Sequence, residues 1–404
     1  FDEINKKETL KIIKYFLERG NQVQIATKKY VSYDDIKYLI PLIKYYGQLV
    51  IYVSSSTITH YEKDEVGTCP PDMRFRTFDL ISHDIPVVLY MKPVLQSVTI
   101  EDLSEYKKLI IDKHISNVVV GSLFTEDVGT EPVHFSNETK LFYSECDDEK
   151  VIIKELNSIT KVWRRSTEVM NRFKDDARKI DKISEEVDKL LKSDHSGHGI
   201  EHINRVYKMS LRFATNENAD LFVVSLIALL HEVDDYKLFG EASACNLTNA
   251  KMIMDKTKID SKTQERVLES IKTIGYKKSL AGIRPASLEG MIVSDADMCD
   301  GLGATGILRT FEYQKNYGRP FFNKNVFPNG NVNRDTYNIV DDCAVCHCFD
   351  KLLRLKSIML TNSGKEEASR RHDIVVSFLY HLFKEENAPE WTEYLDNFLE
   401  NLKS

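Results

Sequence analysis

Residues 221–237 read LFVVSLIALLHEVDDYK. The run Leu221–Leu230 is apolar except for Ser225 and reads as a buried helix. His231 and Glu232 follow it directly, so an imidazole and a carboxylate arrive together at a helix end. Some thirty residues earlier stands HGIEHINRV (198–206), where His198 and His202 are four apart and share a helix face. Further on, VSDADMCDGLG (293–303) again places carboxylates, Asp295, Asp297 and Asp300, after an apolar run. Each piece alone has a bland reading: a chance histidine pair, a helix cap, a solvated loop. Together they form an ordered His, His-Glu, Asp set within one helical region. Imidazoles with carboxylates suit a divalent ion of the Mn²⁺, Fe²⁺ or Mg²⁺ kind. Such an ion activates water and neutralises phosphate charge.

The chain around this set has 404 residues, a length for two or three domains. It is 42% hydrophobic, enough to bury real cores. Its 55 basic and 62 acidic residues give a net charge of −7, which argues against a general nucleic-acid coat but not against a local anion pocket. No run of 18 apolar residues and no signal peptide is visible. The seven scattered cysteines read as reduced thiols and the chain as cytoplasmic. It begins at Phe1, which reads as a sequence cut from something longer or processed.

From 199 onward the helical period dominates, broken by a Gly/Pro/Asn-rich loop at 318–333. The first 125 residues differ. β-Branched runs at Val23–Thr27, Leu49–Ser54, 86–91 and Asn117–Val120 alternate with helical spacings at 33–46, 70–82 and 100–113. That rhythm predicts βαβ units on a parallel sheet, either part of a barrel or an open doubly wound sheet. Residues 126–145 read as a polar connector. The charged stretch 147–192, with Ile152, Leu156, Ile159 and Trp163 at helical spacing, predicts linking helices. The expected domains are thus 1–145 (α/β, parallel sheet, a partial barrel), 146–192 (linking helices) and 193–404 (all-α).

The helical region resembles the HD-domain phosphohydrolases, in particular a bacterial branch that includes nucleotide pyrophosphohydrolases. Four blocks carry the resemblance across 194–385: HGIEHINRVYKMS, LIALLHEVDDYKLFG, EGMIVSDADMCDGLGATGILRTF and CHCFDKLLRLKSIMLTNSGKEEASRRHDIVVSFL. It implies a divalent metal (Mn, Fe, Ni or Mg) held by His202, His231, Glu232 and Asp297. It implies Asp235 and Lys237 as the catalytic pair beside it. His198, Asp300, Arg309, Lys351 and Arg371 are then expected at the substrate's phosphates, where arginine offers a fork and lysine a point charge. One position departs from the family, whose second block reads His-Asp where this chain has His231-Glu232. The extra methylene moves the ion by up to about an ångström, a displacement on the scale that can be costly in catalysis. The intact Asp235, Lys237 and Asp297 favour an active site over a silenced one.

Cys343-Ala-Val-Cys346-His347 matches the pattern of c-type haem attachment. The plainer reading, a helix start within the fourth block, is preferred, and a zinc clip through Cys343, Cys346 and Cys348 lacks a second pair.

The N-terminal half resembles the middle and later strands of a radical S-adenosylmethionine barrel over 22–124. Thr27-Lys28, Ser54–Thr57, Arg74 and Pro93 carry that likeness. The three-cysteine motif of that family is absent, and Cys69 and Cys146 stand isolated, so no iron–sulfur cluster is expected. Either a cluster segment precedes Phe1, or this is a scaffold.

The leading expectation is hydrolysis of a phosphoester or phosphoanhydride bond in a small nucleotide-like substrate, with no membrane or general nucleic-acid partner and with homodimerisation left open. The rivals are a catalytically weakened nucleotide sensor and a fragment of a bifunctional radical enzyme.

Overall fold

The computed structural model describes residues 4–81, 85–125, 132–135, 140–143, 145–192, 199–328 and 343–402. The chain divides into two compact units, 1–178 and 179–404.

The first unit is built on five parallel strands, β1 (Val23–Thr27), β2 (Leu49–Ser54), β3 (Val87–Met91), β4 (Asn117–Val120) and β8 (Lys161–Trp163). Their order in the sheet follows their order in the chain, β1-β2-β3-β4-β8. A doubly wound sheet reverses its strand order at a switch point. This sheet has no such reversal, which leaves the partial-barrel reading. β2 is buried along its whole length, as a parallel strand covered on both faces must be. Leu49 and Ile51 pack with Leu10, Ile13 and Leu17 of helix α1 (Lys6–Glu18). Val50 and Tyr52 alternate to the opposite face and meet Val169 and Met170.

Three details differ from the sequence reading. Stretch 33–46 forms a short helix (Tyr33–Ile36) and a 3₁₀ turn (Ile40–Leu42), because Pro41 has no N–H to continue an α-helix. The connector 126–145 contains β6 (Pro132–Phe135) and β7 (Lys140–Tyr143), which form a small antiparallel sheet with β5 (Phe124–Thr125) just before it. The stretch taken as linking helices holds β8 between α3 (Asp147–Leu156) and α4 (Ser166–Leu191), where α2 denotes Leu103–Asp112. Trp163 therefore lies on a strand, and its Nε1 donates to Asn117 Oδ1 of β4 at 2.8 Å.

At the C-terminal ends of β1 and β2 sits a buried polar knot. Glu65 pairs with Lys28 and accepts from Arg74 Nη1 at 2.6 Å. Arg74 is fully buried and also donates to Ser54 O at 2.7 Å and Cys69 O at 2.9 Å. A charge this deep is tolerated because each guanidinium nitrogen is met by an acceptor, Nη2 by Thr68 Oγ1 at 3.1 Å.

The second unit is helical, with no strand among the described residues. Its elements are α5 (Ile200–Asn216), α6 (Leu221–Leu230), α7 (Tyr236–Asn246), α8 (Thr248–Lys256), α9 (Ser261–Ile271), α10 (Tyr276–Leu280), α11 (Leu288–Asp300), α12 (Gly303–Asn316), α13 (Ala344–His347), α14 (Asn362–Glu385) and α15 (Pro389–Asn401). α6 packs against α5, α9 and α11, which explains a helix apolar all round. Asp220 caps its start by accepting from Phe222 N and Val223 N. α7 is interrupted at Gly240, whose φ of 79° favours glycine.

Candidate metal centre

Three neighbouring helices bring the site together: the first turn of α5, the C-terminal end of α6 and the last turns of α11. α5 presents Ile203, Val206, Met209 and Phe213 to the core, and that docking fixes His202 in its first turn. His202 is only 2% exposed. His231 is the residue after the last turn of α6, and Glu232 follows it.

On α11 the helical period sorts the three aspartates. Asp295 and Asp297 are two apart and point to opposite sides, whereas Asp297 and Asp300 are three apart and share a face. Asp295 is accordingly buried elsewhere. It accepts from Leu360 N at 3.0 Å, Thr361 N at 2.7 Å and Thr361 Oγ1 at 2.7 Å, fixing the turn before α14. A Cβ at Gly364 would come within 2.2 Å of Asp295 Oδ2, so a glycine is needed there.

His202, His231, Glu232 and Asp297 converge. One ligand atom from each lies within 4.8 Å of all the others. The two imidazole Nε2 atoms are 3.4 Å apart, and His202 Nε2 is also 3.4 Å from Asp297 Oδ1. Glu232 Oε1 stands 3.9 Å from His202 Nε2 and 3.8 Å from His231 Nε2. Ligand bonds of about 2.0–2.2 Å make donor-to-donor edges of about 3 to 3.5 Å, so the first two edges fit a transition-metal ion and the glutamate edges need a small inward movement. The ring nitrogens facing away are both engaged. His202 Nδ1 meets Asp300 Oδ2 at 2.7 Å and His231 Nδ1 meets Ala228 O at 2.8 Å. Such contacts set the tautomer and aim each Nε2 at the centre.

The charges are tightly balanced. Burial opposes the charged form of His202, but Asp297 and Asp300 outweigh it and raise the imidazole to about 9. Burial, helped by the charge of His202, outweighs Glu232 and Asp297 at His231 and pushes it the other way, below its usual value. For Asp297, burial disfavours ionisation, yet the hydrogen bond and charge of His202 hold the carboxyl well below the usual range. Asp300 is fully buried and likewise held low, with Arg205 Nε at 2.7 Å and Arg309 Nη1 at 2.6 Å against the cost of burial.

The remaining expected residues are placed less uniformly. Asp300 was expected at the substrate's phosphates; it lies behind His202 instead, with its oxygens given to His202, Arg205 and Arg309. Arg309 reaches the site through that carboxylate. Asp235 caps α7, accepting from Lys237 N at 2.8 Å, and Lys237 is exposed near the rings of Tyr236 and Tyr313. Lys351 lies in a π-helical turn (Cys348–Leu352), with Nζ 5.4 Å from the Tyr276 ring centroid, and its charge helps hold Asp297 ionised. Arg371 is not gathered into the four: its Nε donates to Glu367 Oε1 at 2.6 Å and its Nη1 to Cys299 O at 3.0 Å. His198 lies outside the described residues.

Two groups escaped the sequence reading. Arg205, three residues after His202, grips Asp300, and that spacing on one helix was a readable signal. Lys278 on α10 is half-buried and acts electrostatically on Glu232 and Asp297. No motif marks it.

Cys343 and Cys346 are buried at a helix start, Cys343 capping α13 by accepting from Cys346 N. The structure thus places the Cys-x-x-Cys run as a helix beginning inside the core.

No family model matches the chain. In sequence it is similar to the uncharacterized protein YpgQ of Bacillus subtilis, at 28% identity over 200 residues, 49% of this chain and 89% of that protein. Among solved structures it is similar to an HD-superfamily hydrolase from Bacillus thuringiensis, at 32% identity, covering 53% of this chain and 99% of that one, with a TM-score of 0.43. Bacillus subtilis YpgQ in complex with ADP matches at 30% identity, 52% of this chain and 96% of that one, with a TM-score of 0.42.

Proposed function

We propose that the helical unit is a metal-dependent phosphohydrolase cleaving a phosphoester or phosphoanhydride bond of a nucleotide-like substrate. One observation carries this reading: four ligand atoms from His202, His231, Glu232 and Asp297 lie within 4.8 Å of one another, backed by oriented imidazoles. The sequence similarity to an HD-superfamily hydrolase agrees with it. A nucleotide is the favoured substrate class because YpgQ, at 30% identity, was crystallised with ADP.

When bound, a divalent ion supplies Lewis acidity toward a phosphoryl oxygen and lowers the pKa of water. The chain's own residues do the rest. His202 and His231 present neutral Nε2 atoms, each fixed from behind. Asp235, one residue before α7, orients the attacking water and takes its proton. Lys237 and Lys351 offset charge growing on the phosphate. Arg309 holds Asp300 in place and acts through it.

A second reading, a nucleotide sensor with weakened chemistry, draws on one feature. Glu232 Oε1 stands 3.8 to 3.9 Å from the two Nε2 atoms, farther than Asp297 Oδ1 does from His202. For the first unit we keep the radical S-adenosylmethionine-type scaffold as a proposal. Its support is the sequential parallel order and the placement of Lys28, Ser54 and Arg74 in the knot at the strand ends.

Chromatographic product analysis after incubation with Mn²⁺ and a nucleotide pool tests the enzyme reading. Consumption of one nucleotide with release of phosphate or pyrophosphate supports it. Metal uptake with ligand binding and no product supports the sensor.

A further inference from the structure

The run Cys343-Ala-Val-Cys346 is a motif that the proposed phosphohydrolase leaves unused. Cys343 stands in extended backbone just before α13, and Cys346 is the third residue of that helix. In this form of helix start the capping side chain folds over the first turn and meets the residue three positions on. The two sulfurs are accordingly 2.6 Å apart. That is well inside ordinary van der Waals contact, and about half an ångström longer than a disulfide bond of about 2.05 Å. Cys348, the third cysteine of the run, donates to Ala344 O at 3.5 Å instead, so the run offers a pair rather than a trio.

The pair is asymmetric. Cys343 Sγ accepts from Cys346 N at 3.1 Å, whereas Cys346 Sγ lies 3.5 Å from Val326 O. Donors at a helix start favour a thiolate over a thiol. The hydrogen bond from the Cys346 side chain, with the N–H groups of Cys346, Asn323 and Val345, outweighs burial and brings the Cys343 thiol down to about 7. By contrast, burial pushes the Cys299 thiol up to about 12. Cys343 is therefore the more readily ionised sulfur, and its resolving partner is already in contact. Both side chains are buried, so an oxidant that reaches them has to be as small as a peroxide.

We propose that Cys343 and Cys346 form a peroxide-oxidised dithiol, with Cys343 the attacking sulfur and Cys346 the resolving one. The Cys343 thiolate attacks one oxygen of hydrogen peroxide and the O–O bond breaks. Hydroxide leaves and takes up the proton that Cys343 had released, which makes water, and Cys343 is left as a sulfenic acid. The Cys346 sulfur then attacks Cys343 Sγ, the S–S bond forms, and the sulfenic hydroxyl leaves as water with the Cys346 proton. One peroxide is reduced to two waters while two thiols are oxidised to one disulfide. A dithiol reductant restores the pair by exchange. The disulfide staples the first turn of a segment that Ala344 N ties to Pro320 O at 3.2 Å and Val345 N ties to Phe321 O at 3.1 Å.

The test is peptide mapping by mass spectrometry of the full folded chain after treatment with hydrogen peroxide, followed by unfolding and alkylation. The wild-type peptide holding Cys343 and Cys346 is expected to lose two hydrogens and to take up no alkylating reagent at these positions. Dithiothreitol is expected to restore both. In Cys346→Ser the second step is gone, so Cys343 is expected to gain oxygen and to be trapped by dimedone. Cys348→Ser is expected to oxidise as wild type does. The exposed Cys245 reports that the dose was sufficient. Cys343 and Cys346 both open to alkylation while Cys245 is oxidised would overturn the proposal, and so would a disulfide from Cys346 to Cys348. Should a serine variant fail to fold, the map of the wild-type chain decides by itself.

Discussion

His202 Nδ1 lies 2.7 Å from Asp300 Oδ2, and this contact aims the opposite nitrogen, Nε2, at Asp297, Glu232 and His231. Asp300 in turn is clamped by Arg205 and Arg309. The orientation of one ligand thus depends on a buried carboxylate that does not itself join the four. Asp300→Asn keeps the shape and removes the charge. Its Mn²⁺ affinity is expected to fall about 10- to 100-fold, as for other carboxylates that orient a ligating histidine. Isothermal titration reads this directly, and an unchanged affinity would show that His202 needs no such support.

Glu232 is the position where the chain departs from the His-Asp pattern. If it is a ligand, Glu232→Gln lowers metal affinity while Glu232→Asp retains it with an altered order of preference among Mn²⁺, Ni²⁺ and Mg²⁺. Equal behaviour of Glu232→Gln and wild type across these metals would remove Glu232 from the ligand set.

The raised imidazole of His202 predicts a pH dependence. Without metal its proton is held up to about pH 9. An ion must displace that proton to reach Nε2, so binding is opposed below pH 9 and released above it. Apparent Mn²⁺ affinity should therefore rise by about tenfold per pH unit between 7 and 9 and then level. Titrations in buffers of different ionisation enthalpy should register proton release near pH 7. Affinity that falls as pH rises over this interval would contradict the assignment.

Asp235 follows Glu232 by three residues, its N–H donating to Glu232 O at 3.2 Å, and it is not one of the four. Asp235→Asn should leave Mn²⁺ affinity near wild type and cut turnover by about 10²- to 10⁴-fold, the usual worth of a general base. A matching loss of metal affinity would move Asp235 into the ligand set instead.

Much of the fold was readable because local pattern and burial agreed. The apolar run Leu221–Leu230 is buried on all sides, and the four β-branched runs of the first half became neighbouring strands. β8 escaped because Lys161–Trp163 is only three residues long and sits between two charged helices whose period masks it. Its strand character comes from pairing with β4, a contact remote in sequence. At the site, the resemblance named Asp297 rather than Asp295, and the helical period of α11, which turns the two to opposite sides, supplies the physical reason. Asp300 was expected at the substrate's phosphates, and the structure buries it in a network with His202, Arg205 and Arg309. Lys278 carried no motif at all. Its half-burial and its hydrogen bond to Ile271 O arise only in the folded chain, which no local pattern encodes.

The most direct test of a metal-dependent phosphohydrolase is the rate of phosphate or pyrophosphate release from the responsive nucleotide, followed as Mn²⁺ is returned to chelator-stripped protein. Release is expected to be absent in the stripped chain, to rise with Mn²⁺ to saturation in wild type, and to stay at background in His231→Ala and Asp297→Ala. Release that persists in the stripped chain, or in either variant at the wild-type rate, would contradict it.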